Sequence, residues 1–374
     1  MIDKRASELE RERLREPRPE DLSQNPEPRG GMMNEPINHI VIEDDVRELP
    51  VTRRFLERYP GAEIIGCGSP ADRASLVARA HSPKRTLYLG RRRGPYLKPF
   101  PQHPWYGASG GCETNLILGY NCGASCRYCF VQTIFDDPVP TIFVGDTEMI
   151  AQLESYLKHT PDARISTGEY IDSLLFDDIT GYTQKLMTVF EPFPSSTLEL
   201  RTKSQLIDHL PADPIPQVLV SYSINPSDVV TVAEPGTPRL ERRLAKAREL
   251  HDRGYRIALR VDPVIPAAEF VPGYRELPSV VERCLGWRRV SKVFLGALRF
   301  DNTLLVRMTQ TAGGRRLLDA EFVPCPDGYL RPSRYARIEA YRLLSLGIRR
   351  WASRIDISIT MEPDYVIRAV FEEG

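Results

Sequence analysis

The sequence predicts an α/β fold: a partial (β/α)6 barrel over residues 111–300, a small α/β segment at 36–110 before it, and a C-terminal closing region at 301–374. Three observations predict it. Short apolar runs recur at 116–120, 163–166, 197–201, 218–224, 256–261 and 292–298. Helical patterns fall between most of them, and strands alternating with helices imply parallel βαβ units with right-handed crossovers. The chain is 374 residues long, 41% hydrophobic and 27% charged, which suffices for a large core and is ordinary for a globular protein.

Residues 1–35 are rich in Arg, Glu and Pro, end at Gly30-Gly31, and read as a mobile tail with a short charged helix at 6–14. In the next segment His39-Ile-Val-Ile-Glu43, Glu63-Ile-Ile-Gly66 and Thr86-Leu-Tyr-Leu-Gly90 read as strands, and 52–59 as an amphipathic helix. Within the barrel, 147–159 carries Ile150, Leu153 and Leu157 at helical spacing, with Asp146 placed to cap it. Further helices are predicted at 178–190, at 238–253 with Gly254 as the stop, and at 274–285. The last 75 or so residues give a helix at 335–346 and an alternating strand at 354–361, placed to close the open side of the barrel.

Lys+Arg and Asp+Glu both number 50, so no net charge advertises a nucleic-acid partner. A local basic stretch, Arg91-Arg-Arg-Gly-Pro-Tyr-Leu-Lys98, has the makings of a phosphate contact but reads first as a solvated loop. Seven cysteines are too few and too odd in number for a secreted disulfide scaffold. The charged N-terminus and the lack of a long apolar run predict neither a signal peptide nor a membrane span, so a reducing cytoplasm is expected.

Chemistry is concentrated in one loop. Cys122-Gly-Ala-Ser-Cys126-Arg-Tyr-Cys129 follows the apolar run Asn115-Leu-Ile-Leu-Gly-Tyr120, placing three thiols just past the first barrel strand, where barrel enzymes carry reactive groups. Soft thiolates suit an iron–sulfur centre or zinc. A cubane with three cysteine ligands keeps one iron open for a cofactor. A structural zinc site would need a fourth ligand, for which Cys112 or His103 is available, but no second cysteine knuckle is present.

The C-x3-C-x2-C spacing, with aromatic Tyr128 before the third cysteine, resembles the radical S-adenosylmethionine (SAM) signature. The resemblance implies a [4Fe–4S] cluster on Cys122, Cys126 and Cys129, with SAM chelating the open iron and cleaved to a 5′-deoxyadenosyl radical. Within that superfamily, residues 37–285 resemble the spore photoproduct lyase family. The resemblance rests on Cys129-Phe-Val-Gln-Thr133, on Leu200-Arg-Thr-Lys203, and on Ser223-Ile-Asn225 followed by Glu234-Pro-Gly-Thr237 and the helix containing Arg242 and Arg243. It implies that Lys203 contacts the SAM carboxylate, while Ser223 and Asn225 have the chemistry to hydrogen-bond a ribose. Thr167-Gly168-Glu169 resembles the Gly-Gly-Glu motif whose carboxylate accepts from the SAM ammonium, which makes Glu169 a cofactor residue.

Two departures bear on the reaction. Photoproduct lyases return a hydrogen atom from a cysteine that Glu169 replaces in our alignment, and Phe130 stands where their relay has a tyrosine. Those departures and the neutral chain lead to the expectation of a radical SAM carbon–carbon lyase acting on a ribosomal precursor peptide, as splicease maturases do, with a small recognition protein as partner. The alternative is repair of a thymine photoproduct in DNA, with Cys325 in Pro324-Cys-Pro-Asp-Gly-Tyr329 as hydrogen donor. Either reaction implies a low-potential electron donor such as a flavodoxin or ferredoxin. Asp172 and the pair Asp177-Asp178 are expected to line the substrate mouth or cap a helix, capping being the expected role for the pair; Cys67 and Cys284 read as core.

Overall fold

The computed structural model describes residues 37–79, 83–100, 103–107, 114–135 and 137–372. The N-terminal tail and Cys112 lie outside them. The strands, in chain order, are β1 (His39–Glu43), β2 (Glu63–Cys67), β3 (Thr86–Gly90), β4 (Leu97–Pro99), β5 (Thr114–Leu116), β6 (Gly119–Tyr120), β7 (Thr141–Phe143) and β8 (Arg164–Ser166). They continue with β9 (Thr197–Thr202), β10 (Val218–Ser223), β11 (Arg256–Val264), β12 (Val290–Ala297), β13 (Phe322–Pro324), β14 (Leu330–Pro332) and β15 (Asp356–Ile359).

Two larger sheets result. The main one has the order β4-β5-β8-β9-β10-β11-β12-β15, and every pair in it is parallel except β4 with β5. Five of its six central strands, β8 to β12, are barrel strands the sequence predicts, and the first, β5, overlaps its predicted run only at Leu116. The sheet stays open, with β15 on one edge and β4 on the other. The smaller sheet runs β2-β1-β3-β7-β6. The two are interleaved along the chain, since β4 lies in the main sheet while the later β6 and β7 lie in the small one. Parallel strands flanked by helices are buried on both faces and read as continuous apolar runs. In β10 only Ser223 escapes full burial. Leu219, Ala258 and Phe294, each two positions beyond the register partner of the one before on β10, β11 and β12, form their own small cluster apart from the main core.

Several local expectations are corrected. The run 116–120 is not one strand: it leaves the main sheet after Leu116 and enters the small one at Gly119. Glycine permits the close packing there, because a Cβ on Gly119 would lie 2.2 Å from the carbonyl oxygen of Thr141. Helix Asp146–His159 begins at Asp146 with no side-chain cap, and the Asp146 carboxylate instead pairs with Lys185. The 178–190 helix is two, Asp177–Thr180 and Tyr182–Phe190, broken at Gly181 with φ 63°. Asp177 serves that break as a cap, accepting from the Thr183 amide at 2.9 Å. The third helix spans Leu240–Asp252 and stops before Gly254 at φ 94°, a left-handed position glycine adopts without strain. Helices Val271–Cys284 and Arg334–Arg349 match expectation, while β15 adds to β12 as an edge strand and leaves the sheet open rather than closing it. No described helix is long and apolar enough to cross a membrane.

Candidate cofactor site

The cysteine loop begins at Asn121, whose φ of 60° turns the chain sharply after β6. The Asn121 amide fixes that turn by donating to the carbonyls of Asp137 and Val139, both at 2.9 Å. Inside the loop, Cys129 N–H donates to Cys126 O at 3.1 Å, and the Gln132 side chain donates to the same carbonyl at 2.6 Å. Lys84, from a turn before β3, donates to Cys122 O at 2.6 Å. The loop is therefore held from three directions and leaves its thiols half-buried or buried.

Burial dominates the acidity of those thiols. It pushes Cys122 up to about 12, helped by nearby Asp172, and Cys126 up to about 11 despite the opposing charge of Lys203. Cys129 is raised for the same reason. Bare thiolates are disfavoured there, so the donor set suits a group that brings its own positive charge. Among the described residues no three His, Cys, Asp or Glu side chains are gathered closely enough to chelate one ion. His103 is engaged elsewhere, accepting from the Trp105 amide at 3.1 Å.

Lys203, just past the end of β9, reaches this loop. Its ammonium lies 3.7 Å from Cys126 Sγ and 2.9 Å from the Tyr128 hydroxyl. Asp172 fixes the strand end beneath it, accepting from the Lys203 amide at 2.7 Å and from the Thr202 hydroxyl at 2.7 Å. Asp172 thus anchors the strand end, and it stays partly exposed. Glu169 follows β8, and its carboxylate accepts from Arg201 at 2.8 Å while remaining 21% exposed. Gly168 permits this approach, since a Cβ there would fall 2.3 Å from the Cβ of Arg201. Behind Arg201 runs an alternating series of buried charges, Glu199, Arg260 and Asp262, ending at Arg299 on the rim after β12.

Ser223 closes β10 half-buried, its carbonyl accepting from Arg243 at 3.0 Å. Asn225 is fully buried, and both ends of its amide are taken: it donates to Glu234 at 3.1 Å and accepts from the Tyr274 hydroxyl at 3.0 Å. Sequence reasoning gave Glu234 no role, yet it joins Tyr128, Lys203, Asn225 and Arg243. Burial alone would raise its carboxyl, but Arg243 and Lys203 outweigh that and hold it at about 2. Phe130 lies against Tyr170 with ring centres 6.4 Å apart. Cys325 is elsewhere in the chain, in the turn of the β13–β14 hairpin. That hairpin meets the end of β12 through the pairing of Leu330 with Phe300, next to Arg299.

An open parallel barrel with a three-cysteine loop after its first strand and a lysine at its third strand end defines the radical SAM class. The sequence profile described as "Spore photoproduct lyase" matches residues 80–312, and the chain belongs to that family. It is 26% identical over 250 residues to the spore photoproduct lyase of Geobacillus sp. (strain Y412MC61), covering 66% of this chain and 69% of that one. The fold is similar to a spore photoproduct lyase complexed with dinucleoside spore photoproduct, at TM-score 0.75 and 22% identity over 87% of this chain and 100% of the other. It is also similar to a double variant of that enzyme with bound AdoMet and dinucleoside spore photoproduct, at TM-score 0.71 and 21% identity over 86% and 98%.

Proposed function

We propose that this chain is a radical SAM carbon–carbon lyase whose substrate is a thymine photoproduct in DNA. The observation that carries the reading is the placement of Lys203 at 3.7 Å from a cysteine of the loop, in a chain of the photoproduct lyase family. Its cofactors are a [4Fe–4S] cluster and SAM, which together supply a one-electron reductive cleavage that yields a hydrogen-abstracting carbon radical. Cys122, Cys126 and Cys129 hold the cluster. Lys203 offers an ammonium to the SAM carboxylate, and Tyr128 steadies that ammonium from below. Glu169, aimed by Arg201, offers a carboxylate to the SAM ammonium, a charge-assisted pairing that fixes orientation. Ser223, at the end of β10, is the group for the ribose; Asn225 supports the wall behind it, because its own amide is already satisfied.

A precursor-peptide substrate, the first expectation from sequence, gives way to the nucleic-acid one. What favours DNA is that the family match and the relatives of known name are photoproduct lyases. The departures at Glu169 and Phe130 then concern the route of hydrogen return. One hydrogen atom taken from the substrate must be matched by one given back, and Cys325 on the hairpin beside the barrel rim is the thiol assigned to give it. A low-potential flavodoxin or ferredoxin supplies the electron in a reducing cytoplasm.

The test is direct. Reconstituted protein with SAM and reductant is incubated with dinucleotide spore photoproduct, and separately with candidate precursor peptides. Conversion of the cross-linked dinucleotide to one carrying two intact thymines, lost in Cys325→Ala, is the expected result. Peptide scission without photoproduct reversal would overturn the DNA reading.

A further inference from the structure

The strand-end segment after β10 and the cysteine loop are joined by backbone. Ser125 N–H donates to Pro235 O at 2.9 Å and Arg127 N–H donates to Ala233 O at 2.8 Å. The Arg127 side chain adds a bond to Val232 O at 2.9 Å. Between the two accepting carbonyls sits Glu234, its side chain fully buried.

Three hydrogen-bond donors and one further ammonium converge on that carboxylate. The Tyr128 hydroxyl and the Asn225 amide donate to Oε1, with the Lys203 ammonium 3.7 Å from the same oxygen. Arg243, itself completely buried, donates to Oε2 at 2.6 Å and is also tied to Ser223 O and Thr237. An ionised carboxylate is acceptor-only, so it suits these donors, all of which need an acceptor. An amide in its place would turn an NH2 toward one of them. A buried carboxylate is tolerated only with such pairing.

We propose that Glu234 is a positioning residue that locks the cysteine loop, through Tyr128, to the lysine and strand end that receive SAM, so that cluster ligands and cofactor pocket are set as one unit. This rests on the function proposed above, since the pocket is defined by it. Tyr128 is the sole side-chain tether from Glu234 to the loop among the described contacts. Lys203, Asn225 and Arg243 belong to the pocket side.

The experiment compares wild type, Glu234→Gln and Tyr128→Phe as full chains. Amide hydrogen exchange over 122–130 in the cluster-free protein should accelerate about tenfold in both variants, while exchange in β9–β11 stays unchanged. A tenfold change corresponds to about 1.4 kcal/mol. In the reconstituted enzymes the KM for SAM should rise about tenfold with iron content unaltered. Uniform acceleration across β9–β11 in Glu234→Gln would show a general stabilising role, and Tyr128→Phe, which leaves the Glu234–Arg243 pair intact, then decides. Tyr128→Phe with unchanged loop exchange and unchanged KM overturns the proposal. Wild type that never cleaves SAM overturns the function instead, while the exchange result still stands or falls by itself.

Discussion

Replacing Glu199 by Gln tests the buried charge series under the cofactor site. Glu199 is 5% exposed on β9, with Arg201 Nε at 3.2 Å from one oxygen and Arg260 donating to the other at 2.9 Å. Burial alone would raise its carboxyl, but the two guanidiniums win and hold it at about 2 against an ordinary 4.5. At 1.36 kcal/mol per pH unit, that difference favours the folded state by about 3 kcal/mol at neutral pH. Because the folded value is the lower one, the contribution is complete above about pH 4.5 and is lost as pH falls toward about 2; roughly half is gone by about pH 3. Urea unfolding of cluster-free wild type and Glu199→Gln, run from about pH 7 to about pH 3, should show the stability gap narrowing by about 2 kcal/mol. The narrowing should begin below about pH 4.5. A gap that stays constant over that range would refute the claim that Arg201 and Arg260 stabilise an ionised Glu199.

Three further outcomes are expected. Cys122→Ala, Cys126→Ala and Cys129→Ala should each abolish cluster assembly and 5′-deoxyadenosine formation, read by iron content and chromatography. Glu169→Ala should keep the iron content while raising the KM for SAM about tenfold or more, the loss of one charge-assisted hydrogen bond; unchanged affinity would remove Glu169 from the cofactor pocket. Gly168→Ala should destabilise by about 1–3 kcal/mol in thermal unfolding, since the new Cβ meets Arg201 Cβ at 2.3 Å and its carbonyl oxygen at 2.7 Å. The same substitution should impair SAM use, because Arg201 aims Glu169.

The barrel strands were legible because both faces of a parallel sheet demand apolar residues, which marks them as unbroken runs. The cysteine loop was legible because cluster ligation restricts both residue type and spacing. What was hidden is short or distant. Strands β4, β6 and β7 are two or three residues long, too few to show a period. The exit of the chain from one sheet to the other at Gly119 depends on the Thr141 carbonyl, which no local pattern announces. Glu234 stands in a recognisable motif, but its role stays hidden until the fold brings Tyr128, 106 positions away, onto it. Asp172 left two readings open, mouth or cap, and its bond to the amide of Lys203, 31 positions on, is visible only in the fold.

Anaerobic reconstitution with iron and sulfide, followed by SAM and a strong reductant, tests the whole account most directly. The expected result is a brown protein with broad iron–sulfur absorption that releases 5′-deoxyadenosine and methionine. A colourless protein that leaves SAM intact, with Cys122, Cys126 and Cys129 all present and reduced, would contradict it.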